Sequence, residues 1–242
     1  MKKTFLIFIC VLLVIDIQAQ TDSYMHVWGR MSISLPIRST WRGEIELQHR
    51  RQNVFNEEIP LTWNHQLMNS ARVWLHHSVS DGGKWSISPL AYFRHQPLWL
   101  SSEQIKPAIT EYRISAAWEY KKALRKWLDI SNRSALEMRM FESDYGNILR
   151  MRQRIGLNWK CASYVQLTAY YEVLLNTTGV DAQHRFDHDR VGCLMQFRPV
   201  TWIKLEGGYV YSHKLPKSAD EIINEHNLII HVYFELPIQH KS

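Results

Sequence analysis

Apolar and polar residues alternate one for one along most of this chain. In "RMRQRIGLNWK" (150–160) Arg150, Arg152 and Arg154 take every second position, with Met151, Ile155, Leu157 and Trp159 between and after them. Alternation over about 4–8 residues marks a strand with two unlike faces, whereas a helix repeats every 3.6 residues. The rhythm recurs. "YVQLTAYYEVLL" sets Val165, Leu167, Ala169, Tyr171 and Val173 against Gln166, Thr168, Tyr170 and Glu172. "DRVGCLMQFR" sets Val191, Cys193, Met195 and Phe197 against Arg190, Gln196 and Arg198, and "WIKLEGGYVY" sets Ile203, Leu205, Tyr209 and Tyr211 against Lys204 and Glu206. "NLIIHVYFEL" sets Leu228, Ile230, Val232, Phe234 and Leu236 against Asn227, His231 and Glu235. No long amphipathic helix interrupts the series, so the chain reads as all-β.

The pattern predicts strands near 24–35, 41–52, 67–80, 84–94, 109–121, 126–139, 148–160, 164–176, 186–198, 201–213 and 226–236. Most reach the roughly 9–11 residues a tilted membrane-spanning strand needs, against a soluble-protein mode of about 5–6. Short connections follow the odd strands and longer ones the even strands, the layout of outer-membrane barrels. Pro89 falls inside an otherwise good strand, which a bulge or an edge accommodates.

The N-terminus adds a compartment. "MKKTFLIFICVLLVIDIQAQ" runs from Lys2 and Lys3 through an apolar stretch, Phe5 to Val14, to a small-residue exit at Ala19. That is the anatomy of a secretory signal peptide, with an apolar core too short to span a bilayer as a helix. The expected organisation is therefore a signal peptide over 1–19 and one β-barrel domain over 20–242. Cys10 lacks the small-residue context of a lipid-anchored cysteine. Cys161 in a turn and Cys193 at an outward strand position are read as thiols not joined by a disulfide, whose Cβ geometry is demanding. The chain has 242 residues, 45% of them hydrophobic, enough for a single large all-β domain. Its net charge of +6 comes from interleaved charges of both signs, without the basic run that tracks a nucleic acid.

The two faces separate a soluble fold from a membrane one. A soluble barrel or sandwich would bury Trp118, Tyr120, Tyr209 and Phe234 and leave the charged faces wet. The opposite closure sends the apolar faces into lipid and the charges inward. Trp41, Trp85, Tyr112, Trp118, Trp159, Trp202 and Tyr211 lie toward strand ends, as interfacial girdles do. With the signal peptide and the long strands, this favours a transmembrane antiparallel up-and-down barrel with a polar lumen. The lumen charge network is then Glu111, Arg113, Arg133, Glu137, Arg139, Arg152, Arg154, Glu172, Arg190 and Glu206, with Glu172 and Arg190 expected to pair across adjacent strands. Eleven segments are read, but bacterial single-chain barrels have even strand numbers. About twelve strands are therefore expected, with ten the alternative.

An ordered set of motifs carries a resemblance: Glu111-Tyr112-Arg113, "NRSALEMR" (132–139), "RMRQR" (150–154), "YYEVLLN" (170–176), "FDHDRVG" (186–192) and "GYVY" before a final strand. From about residue 109 onward the chain resembles an uncharacterised family of Bacteroidota outer-membrane β-barrel proteins, known only as domain of unknown function number 2490. The resemblance implies a barrel in the outer membrane of a Gram-negative bacterium and supplies no activity. The chain departs from such proteins at its end, where "PIQHKS" replaces a terminal aromatic.

Candidate chemistry is sparse. Ser212-His213 and His76-His77-Ser78 pair serine with histidine, but neighbours along a strand point to opposite faces. "HRFDHDR" (184–190) holds metal-ligand residue types without a recognised metal spacing and reads as a solvated loop entering a strand. No catalytic residue, metal or cofactor is assigned. The expected function is a structural barrel or a small polar conduit; an outer-membrane lipid hydrolase and a secreted soluble β-sandwich are the alternatives. Expected partners are outer-membrane lipids, the barrel assembly machinery during insertion and a small polar ligand in the lumen, with no nucleic acid.

Overall fold

The computed structural model describes residues 23–53, 63, 65–79, 82–97, 107–142, 146–215 and 223–237. The signal peptide expected over 1–19 lies outside these. The alternating segments form eleven strands: β1 (Ser23–Arg38), β2 (Trp41–Gln52), β3 (His65–Ser78), β4 (Gly83–His95), β5 (Ile109–Arg125), β6 (Leu128–Phe141), β7 (Ile148–Ala162), β8 (Val165–Thr178), β9 (Phe186–Val200), β10 (Ile203–Lys214) and β11 (Ile223–Glu235). They pair in sequence order and close into one barrel through β1 and β11. Among the described residues the remaining regular element is a three-residue 3-10 turn, Gln183–Arg185. No helix there is long and apolar enough to cross a membrane.

The expected twelve strands are corrected to eleven. Every sequential pair is antiparallel, so with an odd number the first and last strands must run the same way. β1 and β11 accordingly pair in parallel, Val27 opposite Leu228 and Met31 opposite Val232. The even-number rule assumes an all-antiparallel ring. One parallel seam removes that requirement, and the sheet still has no open edge.

The wall is inside-out relative to a soluble protein. Ile230, Leu90 and Ile155 are 59%, 57% and 52% exposed, and similar side chains (Ile45, Val73, Ile114, Leu136, Val191) cover the outside strand after strand. A continuous apolar surface of this kind has no stable place in water. Aromatic residues rim it. Trp41, Trp85–Trp118, Trp127–Trp159 and Trp202–Phe234 cluster at the short-turn end, with Tyr92–Tyr112 and Tyr211–His226 toward the long-loop end. The soluble β-sandwich is thereby excluded. Pro89 sits where the β4–β5 register shifts between Ser88 and Ala91, so its missing N–H interrupts no regular ladder. That bulge leaves Pro89 and Leu90 both outward and returns Ala91 and Phe93 to the lumen. No disulfide joins Cys161 and Cys193.

Candidate functional site in the barrel lumen

Period 2 places the charges in columns, and antiparallel register sets the columns side by side. Glu137 on β6 lies opposite Arg150 on β7; Arg154 on β7 lies opposite Glu172 on β8, and Glu172 opposite Arg190 on β9. Three carboxylates form the nodes. Glu111, Glu137 and Glu172 are 0%, 1% and 0% exposed.

Glu137 accepts from Arg150 Nη2 at 2.5 Å and from Arg152 Nη1 at 2.7 Å, while Arg72 and Arg113 each place a guanidinium nitrogen 3.9 Å away. Glu172 accepts from Arg152 Nη2 at 2.8 Å and Arg154 Nη2 at 3.1 Å, with Arg190 Nη1 at 3.5 Å. Glu111 takes both forks of Arg139, at 2.6 and 3.1 Å, a second fork from Arg113, and His95 Nε2 at 3.0 Å. Arg152 bridges Glu137 and Glu172, and Arg113 bridges Glu111 and Glu137, so one connected lattice spans β3 to β9. Asp187 extends it through Arg150 Nη1 at 2.7 Å.

Two of the ten expected residues lie apart from that lattice. Arg133 stands 4.0 Å from Glu119 and over the Trp74 ring. Glu206 belongs to a second cluster on β1, β2, β10 and β11, accepting from His231 Nδ1 at 2.8 Å with Arg30 at 3.9 Å. Arg30 also reaches Glu46 at 3.3 Å and the Tyr233 hydroxyl.

Sequence reasoning missed several lumen groups. Arg72 is one, opposite Glu46 on β2, and the parity of Ser70 and Arg72 was a usable signal; Arg150, read inward with Arg152 and Arg154 from the alternation, does face Glu137. Trp28, Trp74 and Phe93 carried no such signal, because an inward aromatic breaks the rule that separates the faces; Tyr170 already fell on the polar face of its strand, with Gln166 and Glu172. Each packs against guanidinium groups: Arg50 at 3.7 Å and Arg190 at 5.3 Å from the Trp28 ring, Arg113 at 3.8 Å and Arg72 at 5.2 Å from Phe93, Arg154 at 4.4 Å from Tyr170. The negative ring faces attract these cations. Tyr170 finds room because its neighbour across the ladder is Gly192, where a Cβ would fall 2.4 Å from the ring.

The serine–histidine pairs resolve into hydrogen-bonded structure. Ser212 faces inward against Asn227, and His213 bonds Asp189 on the outer wall. His76 bonds Ser86 Oγ at 2.8 Å and lies 3.5 Å from Glu44. That trio has the residue types of a hydrolytic triad. However, Ser86 is 3% exposed, and the surrounding backbone amides lie within the β2–β3–β4 ladders, so none stands ready as an oxyanion donor. The histidines and aspartates of "HRFDHDR" go to separate partners: His184 to Asp181, His188 to Asp187, Asp189 to His213. In the loop before β9, hydrogen bonds from the His184 side chain and backbone hold the Asp181 carboxyl below its ordinary range.

Comparison with known proteins bears on this geometry. The profile of a family described as "Protein of unknown function (DUF2490)" matches residues 25–222, nearly the whole barrel. The chain belongs to this family. No curated protein matches it. Among solved structures it is similar to the NanC porin in a rhombohedral crystal form, at 13% identity and a TM-score of 0.44 over 75% of this chain and 79% of that one. It is also similar to outer-membrane expressed OmpT of Vibrio cholerae, at 13% identity and 0.37 over 79% and 61%. A loop L8 deletion mutant of that OmpT gives 15% identity and 0.36 over 71% and 56%. These similarities concern the fold alone. The protein is a closed β-barrel with an apolar outer wall, and its family carries no assigned activity.

Proposed function

We propose that this protein is a structural barrel whose lumen is stoppered, toward the long-loop end, by its own ion pairs, rather than an open polar conduit. One observation carries the reading: the three node carboxylates are at most 1% exposed, although each would be strongly hydrated in a water-filled pore. A lattice of forked, charge-assisted bonds from five or more strands resists displacement by a passing ion. Buried ion pairs add little net stability, and their best-supported use is to specify one arrangement over its competitors. In an eleven-strand ring, that arrangement is the strand register.

In this reading residues 1–19 are a signal peptide removed on export, the barrel assembly machinery inserts 20–242, and outer-membrane lipids cover the wall. N-terminal sequencing of the protein from an outer-membrane fraction should start at or near Gln20; a retained Met1 would overturn that part. For the lumen, refolded protein in planar bilayers should give no steady conductance steps. Reproducible steps from the unaltered protein would replace the stopper with a conduit.

A further inference from the structure

The lattice is not electrically balanced. Seven guanidinium groups (Arg72, Arg113, Arg139, Arg150, Arg152, Arg154 and Arg190) share the carboxylates of Glu111, Glu137, Glu172 and Asp187. Three positive charges are therefore in excess within it. Arg50 adds another: among the described residues it has no carboxylate within ion-pair distance, bonding Gln48 Oε1 at 3.3 Å and lying over Trp28. The charged groups acting most on it are Arg190, Glu225, Arg113 and Arg152, three of the four being cations. Arg72 is 7% exposed. Its Nε and Nη2, together with Nε of Arg50 and of Arg190, are buried donors without an acceptor among the described residues.

Burying unpaired charge and unmet donors is costly, and surplus cations in a dry lumen repel one another. An anion seated among them answers both costs. Planar forked guanidinium groups match the paired oxygens of a carboxylate or phosphate, and the flanking Trp28 and Phe93 rings hold the forks in place. We infer that the lumen binds a compact oxyanion, a carboxylate or phosphate group, among Arg50, Arg72, Arg113 and Arg190. The inference rests on the closed-lumen reading for its low-dielectric surroundings, yet the two are measured separately.

The test is calorimetric titration of the refolded full-length barrel, in nonionic detergent without added lipid, with inorganic phosphate, with citrate, and with chloride as control. Saturable binding of phosphate or citrate is expected, and whichever binds more tightly identifies the oxyanion class. Arg50→Gln and Arg72→Gln should each weaken it at least tenfold, while Lys126→Gln, in an exposed turn, should leave it unchanged. Heat-modifiable gel mobility establishes that each variant is folded, and Arg50→Gln carries the test should Arg72→Gln not fold. The inference is overturned by absence of saturable binding, by chloride binding as tightly as the oxyanions, or by unweakened binding in folded Arg50→Gln. Conductance steps would count against the stopper alone and leave the titration to judge the anion.

Discussion

Glu137→Gln is the sharpest perturbation of the lumen. The substitution keeps the shape and one carbonyl acceptor and removes one negative charge. In the structure that charge lies within 2.5–3.9 Å of four guanidinium groups, on β3, β5 and β7. At an effective dielectric of about 20, opposite unit charges 4 Å apart attract by roughly 4 kcal/mol, part of which is offset by desolvation. Removing one partner of a buried ion pair costs roughly 3–5 kcal/mol, because the other is left charged and unmet. Glu137 leaves four such partners, and only Arg113, Arg150 and Arg152 have a second carboxylate to turn to. A loss of about 3–5 kcal/mol is therefore expected. Lys84→Gln is the control, since its 3.3 Å pair with Glu119 is over a third exposed on the lysine side and should cost about 0–1 kcal/mol. Reversible urea unfolding in detergent micelles or vesicles, followed by tryptophan fluorescence, measures both. A Glu137→Gln loss no larger than that of Lys84→Gln would mean that water screens the lattice, and the dry-lumen argument would fail.

Three further outcomes follow from the geometry. Arg154→Leu should cost less than Glu137→Gln, about 1–3 kcal/mol, because Arg154 is a third exposed and Glu172 keeps Arg152 and Arg190; a loss equal to or above that of Glu137→Gln in the same urea assay would contradict the ranking. Leu136→Arg, on the outer wall near the middle of β6 and 50% exposed, should cost roughly 2–4 kcal/mol in bilayers if that height is the midplane; no measurable cost would mean that the wall does not face hydrocarbon there. Gly208→Ala should lose about 1–3 kcal/mol, because its Cβ would fall 2.2 Å from the Cys193 carbonyl oxygen, which is backbone. Gly207→Ala, whose nearest atom lies 3.7 Å away, should fold normally, and equal behaviour of the two in unfolding or heat-modifiability assays would refute the packing argument.

Much of this architecture is legible in the sequence because a strand's period is local. Alternation alone tells which residues share a face, so the inward positions of Arg152, Glu172 and Arg190 and the outward positions of Ile155 and Leu157 follow from the chain. Whether those faces turn to lipid or water already required several signals together. Strand lengths were legible to within the range of a turn: β5 runs on to Arg125 where 121 was expected.

Three things were decided only by the tertiary structure. Closure is one, because no local pattern counts strands around a ring; the parallel meeting of β1 and β11 joins segments about two hundred residues apart. The inward aromatics are another. Trp28, Trp74 and Phe93 look like wall residues by composition, and only the guanidinium groups arriving from other strands make them lumen residues. The last is partnership. Glu206 and Glu172 are alike in sequence, each a carboxylate on an alternating strand, yet one joins Arg30 and His231 and the other joins three arginines of the lattice. Face is a property of one strand, whereas an ion pair depends on register, shear and what reaches across the lumen, quantities that exist only once the barrel has closed.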